Sequence, residues 1–338
     1  MKTLLTLLTF CLVTSLSLSA QNVLTVDNTT GSNAQYSDLQ TAVSVASAND
    51  TIYVHSSETN YGNITLTKPL NIIGFGHAVP DKRTYITSID LNDGSDNSYF
   101  SGLNITSDVT ISSSNATVIT GLVFENNFIS GLYIGYDLGS DNVLIRGNII
   151  GRIGYSSTYS NYTNTIITNN IIFDYITVKY HQSVTIKNNI FLNEAYIFNY
   201  GDNSGDLTVQ NNIFYGNSNS NFNYNRDGVI FENCMTYNVT SSVTELVGTN
   251  NLNDINPNFV MAADDFWNPE EDDYHLQAGS LAIGAGVDGE DLGIYDNGSF
   301  LFNNFGYTNG VPTVKITSIS SSIAPGDNLE VTISTTSN

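Results

Sequence analysis

Three basic side chains, Arg152, Lys179 and His181, fall in a stretch otherwise rich in aromatic residues. If Leu132, Ile134, Ile153, Ile176 and Val178 point into a β-rich core, strand alternation turns Tyr133, Arg152, Thr177, Lys179 and His181 to the opposite face. The same phase puts Ile197 inside and Tyr196 and Phe198 outside, with Tyr200 close by. Such a row suits a carbohydrate, whose rings stack on aromatic faces while a cation neutralises a uronate carboxylate. Lys179 and His181 are the candidate general bases and Arg152 the candidate stabiliser, so these three form the candidate catalytic set. Tyr133, Thr177, Tyr196, Phe198 and Tyr200 are the candidate substrate-binding residues. Plain solvent-facing strands, in which tyrosine is favoured, would show the same residues.

Other chemistries find less support. Gly284-Ala-Gly-Val-Asp-Gly289 matches a dinucleotide-binding glycine pattern, but neither a helix nor a βαβ unit surrounds it. His55, His77, His181 and His275 are scattered and have no zinc-site spacing. The acidic run Asp264, Asp265, Glu270, Glu271, Asp272 and Asp273 offers the oxygen ligands that Ca2+ prefers. Without EF-hand spacing a solvated loop is the favoured reading of the run, so Ca2+ is a cofactor the sequence allows without assigning its ligands. A glycoside hydrolase needs two carboxyls about 5 to 9.5 Å apart. Asp137 and Glu194 lie too many repeats apart to be that pair.

The row depends on a repeated unit. Two apolar or β-branched residues, a variable residue, an Asn-Asn pair and a large apolar residue recur, as in Ile166-Ile-Thr-Asn-Asn-Ile171 and Thr185-Ile-Lys-Asn-Asn-Ile190. The second Asn of the pair steps through Asn127, Asn148, Asn170, Asn189 and Asn212, with Cys234 in the next place. This period is too long for a hairpin and too short for a strand-helix-strand unit. It fits a parallel β-coil in which each repeat makes one turn and the row above spans about 20 Å. Identical Asn side chains would stack along the axis, each amide donating to one neighbour and accepting from the other. The first residue of the pair, Gly at position 147, turns the corner in a left-handed conformation.

With these N-N-I turns the chain resembles the right-handed parallel β-helix proteins of the pectate-lyase-like superfamily, in particular its secreted bacterial members. Asp50 to Gly74, following a helix over residues 37–47, is similar to the N-terminal rungs of such proteins, where the helix caps the open end of the coil. Asn256-Pro-Asn-Phe259, Tyr274-His-Leu276, Ala282-Ile-Gly-Ala-Gly286 and Asp291-Leu-Gly293 resemble their terminal rungs, here residues 256–296. Ser37 and Gln40 have capping-box spacing for the helix. The resemblance implies an all-β, single-stranded right-handed parallel β-helix over residues 21–300, clearest over 118–235. It also implies proton abstraction beside a uronate carboxylate by an outward Lys or Arg, often with calcium, as in the superfamily's lyases.

Residues 1–20 read as a signal peptide, which makes the chain exported, secreted or held at a cell surface. After its removal Cys234 is the one cysteine left, so no internal disulfide is expected. A net charge of −22 with 10 Lys plus Arg excludes a nucleic-acid partner. No stretch is apolar enough for membrane insertion of the mature chain. A polysaccharide or cell-surface glycan remains the expected partner of a monomer. Residues 311–338 form a short C-terminal β tail, read either as a cap on the coil or as the start of an immunoglobulin-like module. The expected function is therefore polysaccharide binding, with β-elimination as the cleavage chemistry if the chain is an enzyme. A non-catalytic structural or adhesive solenoid is the alternative, and a glycoside hydrolase ranks last.

Overall fold

The computed structural model describes residues 21–78, 82–112, 114, 116–135, 138–154, 162–178, 183–199, 206–217, 220–262, 264–308, 313–319, 326 and 328–336. It is an all-β, right-handed parallel β-solenoid with one helix and a short C-terminal strand pair. Two parallel sheets, each of 11 strands, run the length of the coil. The first contains Val123–Glu125, Leu144–Arg146, Ile166–Thr168 and Thr185–Lys187, and the second contains Phe128–Tyr133, Ile149–Ile153, Ile171–Val178 and Ile190–Leu192. The repeat of two apolar residues before an Asn pair thus becomes one strand of each sheet, joined at a two-residue corner.

Between the sheets the core is a set of stacked columns. Phe100, Phe124, Ile145 and Ile167 align in the first sheet, and Ile129, Ile150, Ile172, Phe191 and Phe214 in the second, all fully buried. Phe100 stacks on Phe124 at 5.1 Å and Phe191 on Phe214 at 4.6 Å. Burying such side chains contributes about 1.5 to 3 kcal/mol each, which makes the columns the main source of cohesion.

The second Asn of each pair is buried at the corner. Asn127, Asn148, Asn170 and Asn189 each donate from Nδ2 to Oδ1 of the next Asn at 3.0 to 3.1 Å. The same Oδ1 atoms accept the backbone N–H of the preceding Asn. Cys234 interrupts the ladder, and its thiol donates to the Val209 carbonyl. Asn251 resumes the pattern one rung later by accepting from the Cys234 N–H at 2.9 Å. The pair Asn250-Asn251 is thus a further corner, with Asn250 left-handed at φ 55°.

The first residue of each pair is left-handed throughout, at φ 57° for Asn126, 66° for Gly147, 55° for Asn169, 58° for Asn188, 59° for Asn211 and 51° for Asn233. Its side chain turns outward to a returning C-terminal segment. Asn233 donates to the Ala285 carbonyl, Asn211 accepts from Val287 N–H, Asn169 donates to the Ile294 carbonyl and Asn126 to the Tyr307 carbonyl. Residues 282–308 therefore run back along the corner from the last rungs toward the first ones. At Gly147 the Phe300 ring occupies the space that a Cβ would need.

This segment differs from the expected terminal rungs at 256–296. Phe259–Met261 and Asp273–Leu276 pair antiparallel rather than extending the coil. The physical reason is the outer face of the second sheet, where Ile149, Ile171, Ile190, Ile213 and Met235 present an apolar stripe. They form a second core with Phe259, Tyr274, Leu292, Ile294 and Phe302. The helix is also shorter than expected, Leu39–Val45, and Asp38 rather than Ser37 caps it by accepting from Thr41 N–H at 2.6 Å. Gln40 instead bonds the backbone of Thr65, and Lys68 donates to the carbonyls of Ser44 and Ala46 at the helix end. Leu39, Ala42 and Val43 face the coil, as an end cap requires. The tail forms the antiparallel pair Thr313–Ile319 and Val331–Thr336.

Asn170→Ala should lower the unfolding free energy by on the order of 3 kcal/mol in urea titrations, because each buried group left unsatisfied costs about 1 to 3 kcal/mol. Gly147→Ala and Phe300→Ala should each destabilise the fold, but the double variant should lose less than the sum. A double-mutant cycle showing additivity would mean that the ring does not press on position 147.

Candidate functional site

The expected alternation holds over the described part of the row. Leu132, Ile134, Ile153, Ile176, Val178 and Ile197 are buried inside, and the register aligns Gly131, Arg152, Tyr175 and Tyr196 across successive rungs. Arg152 donates from Nε to Tyr133 Oη and lies 3.5 Å from the Asp174 carboxylate. Tyr196 and Phe198 pack edge to face at 4.5 Å, and Tyr175 stacks on Tyr196 at 6.2 Å. Lys179, His181 and Tyr200 lie outside the described residues. Two candidate surface contact residues need correction: Tyr133 is 8% exposed, its ring tip lying over Gly131, and Thr177 is 1% exposed. Its Cα pairs with Phe198 in the neighbouring strand, and so short a side chain lies below the aromatic surface around it.

Two residues passed over in the sequence belong to this surface. Tyr175 shares the parity of Thr177 and was therefore available to the same reasoning. Arg226 was not, because it approaches from a loop. Its guanidinium sits 4.5 Å from the Tyr196 ring centre and is held by the carbonyls of Asn223 and Asn225. A planar cation on an aromatic face is attractive by about 0.5 to 2 kcal/mol and stiffens the ring it covers.

A cleft of about 330 Å³ opens beside the row, lined by Ser130, Gly151, Arg152, Phe173, Asp174, Asn193, Glu194 and Tyr196. A progressive bulge builds it. Between the aligned inner residue and the aligned outer one, the rungs carry Gly151 alone, then Phe173 and Asp174, then residues 192–195. Bulges redirect side chains away from strict alternation. Here they bring Asp174 and Glu194 from adjacent rungs to one cleft, a pairing that strand parity does not reveal. Glu194 has φ 58°, a left-handed conformation that is uncommon outside Gly, Asn and Asp.

Glu194 also faces inward. Its Oε1 is buried without a hydrogen-bond partner, as are Tyr224 Oη and Asn238 Nδ2. All three side chains surround the missing Cβ of Gly216, with Tyr224 Oη at 2.9 Å, Glu194 Cγ at 3.1 Å and Asn238 Nδ2 at 3.5 Å from where it would be. Loss of hydration, followed by the nearby Asp265 charge, holds the Glu194 carboxyl above the usual carboxylate range. Burial raises Asp265 as well.

The acidic run is dispersed rather than gathered. Asp272 accepts from Asn268 N–H and Tyr274 Oη, and Asp264 accepts from Phe266 N–H. Among the described residues, no group of three or more His, Cys, Asp or Glu side chains could hold a metal ion. His77 is packed against Trp267 at 5.4 Å, and burial pushes it down to about 3. Cys234 is fully buried and pushed up to about 12 by that burial, which leaves it an inert core thiol. No helix among the described residues is long and apolar enough to cross a membrane.

Fold and site together define a strapped parallel β-solenoid with a lateral cleft of mixed aromatic, arginine and carboxyl lining. No protein-family model and no curated protein matches the chain.

A glutamate whose pKa is raised on folding adds stability below its ordinary value, and that contribution is lost as pH rises through the raised value. Glu194→Gln should therefore melt at a higher temperature than the parent at pH 7 to 8. Below the ordinary value of 4.5 the difference should disappear. Parallel melting curves across that range would show instead that the carboxyl is not perturbed.

Proposed function

We propose that the chain is an exported protein of the pectate-lyase-like β-helix type that binds an extracellular polysaccharide along the Tyr175–Phe198 row and the cleft beside it. One observation carries this reading: a stacked aromatic surface, Tyr175, Tyr196 and Phe198, runs directly into a cleft lined by Arg152, Asp174, Asn193 and Glu194. Sugar rings offer apolar faces that stack on such side chains and hydroxyls that bond to carboxyl, amide and guanidinium groups. Arg152 and Arg226 supply local positive charge for a uronate despite the acidic whole. Proton abstraction by Lys179 or His181, the elimination chemistry expected from the sequence, would require these two residues to reach the same surface.

Affinity electrophoresis of the mature chain in gels containing polygalacturonate, alginate, xylan, β-glucan or mannan tests the proposal. Retention by at least one polymer is expected, weakened about tenfold or more by Tyr196→Ala, since one stacked ring contributes roughly 1.5 kcal/mol. An ultraviolet-absorbing unsaturated product lost in Lys179→Ala would add elimination. No retention by any polymer would leave the structural or adhesive reading.

A further inference from the structure

Glu194 and Asp174 differ in ways that binding alone does not explain. Asp174 stands at the cleft mouth against Arg152, and its side chain is 44% exposed. Glu194 reaches the same cleft from the next rung in a left-handed turn, with one oxygen buried among polar atoms that have no partner. Tyr224, 1% exposed, and Asn238, 4% exposed, gather with the Glu194 Cγ around the space at Gly216, and their own polar atoms are also without partners. Unsatisfied buried polar groups and left-handed non-glycine residues are both costly, and together they mark sites shaped by something other than stability.

We infer that Glu194 and Asp174 are a catalytic carboxyl pair that hydrolyses a glycosidic bond of the polysaccharide lying in the cleft, Glu194 as acid and Asp174 as base. This rests on the glycan-binding reading. Glu194 gives its proton to the glycosidic oxygen as the bond from that oxygen to the anomeric carbon breaks, the bonding electrons staying on the oxygen. A solvent water forms the new bond to the anomeric carbon, and its proton passes to Asp174. Glu194 ends ionised and Asp174 protonated, and exchange with solvent restores both. Two carboxyls with separated environments are what this chemistry needs. The neighbouring groups assign the roles. Asp174 is open to water and lies 3.5 Å from Arg152, whereas the dry surroundings, followed by the Asp265 charge, favour a protonated Glu194. Asp265 acts through Glu194 and is a positioning residue.

The test measures retention and new reducing ends with the same five polymers. The parent should release reducing ends from a polymer that retains it, without an unsaturated chromophore. In Glu194→Gln and Asp174→Asn the rate at saturating polymer should fall at least about 100-fold, the usual scale for losing general acid or base assistance, far beyond any loss of retention. Asp265→Asn should keep retention and move the alkaline limb of the pH–rate profile to lower pH, a change that a merely structural role would not produce. Retention without new reducing ends overturns the hydrolysis and leaves the binding reading standing. So does cleavage that survives Glu194→Gln, or product carrying the elimination chromophore. No retention by any polymer removes both readings.

Discussion

A primary amide buried away from water must find its partners within the protein, and in this chain the axial spacing of the rungs provides them. Asn148, for example, donates to the Phe124 and Arg146 carbonyls and to Asn170 Oδ1, while its own oxygen accepts twice from Asn127. No donor or acceptor of the side chain is wasted. A slip of one residue would drive this amide into an isoleucine column and leave its partners bare, at about 1 to 3 kcal/mol for each lost bond. The ladder therefore sets the register in which the apolar columns pack. Cys234 breaks the chain of amides without opening a polar hole, because a thiol demands little and Asn251 takes over the backbone contact.

The same dipeptide also decides what lies outside. Its first residue must be left-handed, which Asn and Gly tolerate, and in that conformation the Asn side chain points away from the coil. Repeated up the axis, these residues form a row of amides that holds the returning segment 282–308 by its backbone. That segment covers the apolar outer stripe from Ile149 to Met235, which bare solvent would not tolerate. Ile171 lies under it, while Tyr175, further along the same strand, belongs to the aromatic row. One strand thus serves a closed face and an open one.

The coil, its corners and the inward columns were legible because the Asn pair marks the period and β alternation fixes the phase. So was the outward placement of Tyr133, Arg152, Tyr196 and Phe198. Residues 256–296 were not, since their motifs specify local turns but not the direction in which the chain then travels. Arg226 escaped, and Asp265 was visible only as part of an acidic run, because loops of no fixed phase deliver both. Tyr133 and Thr177 have the expected direction but the wrong depth, since parity does not give the height of neighbouring side chains.

Glu194 shows why the cleft is hardest to read. A regular solenoid stacks equivalent positions about 4.8 Å apart and sends neighbouring residues to opposite faces. Two carboxyls on such a lattice either repel along one column or are separated by the wall. The growing insertion, from Gly151 to Phe173-Asp174 to residues 192–195, releases side chains from that constraint. Asp174 can then stay beside Arg152 in contact with water while Glu194 turns into a dry space within reach of Asp265. Unequal environments for like groups require broken symmetry, so a repeat protein gains such a pair only where its repeat fails.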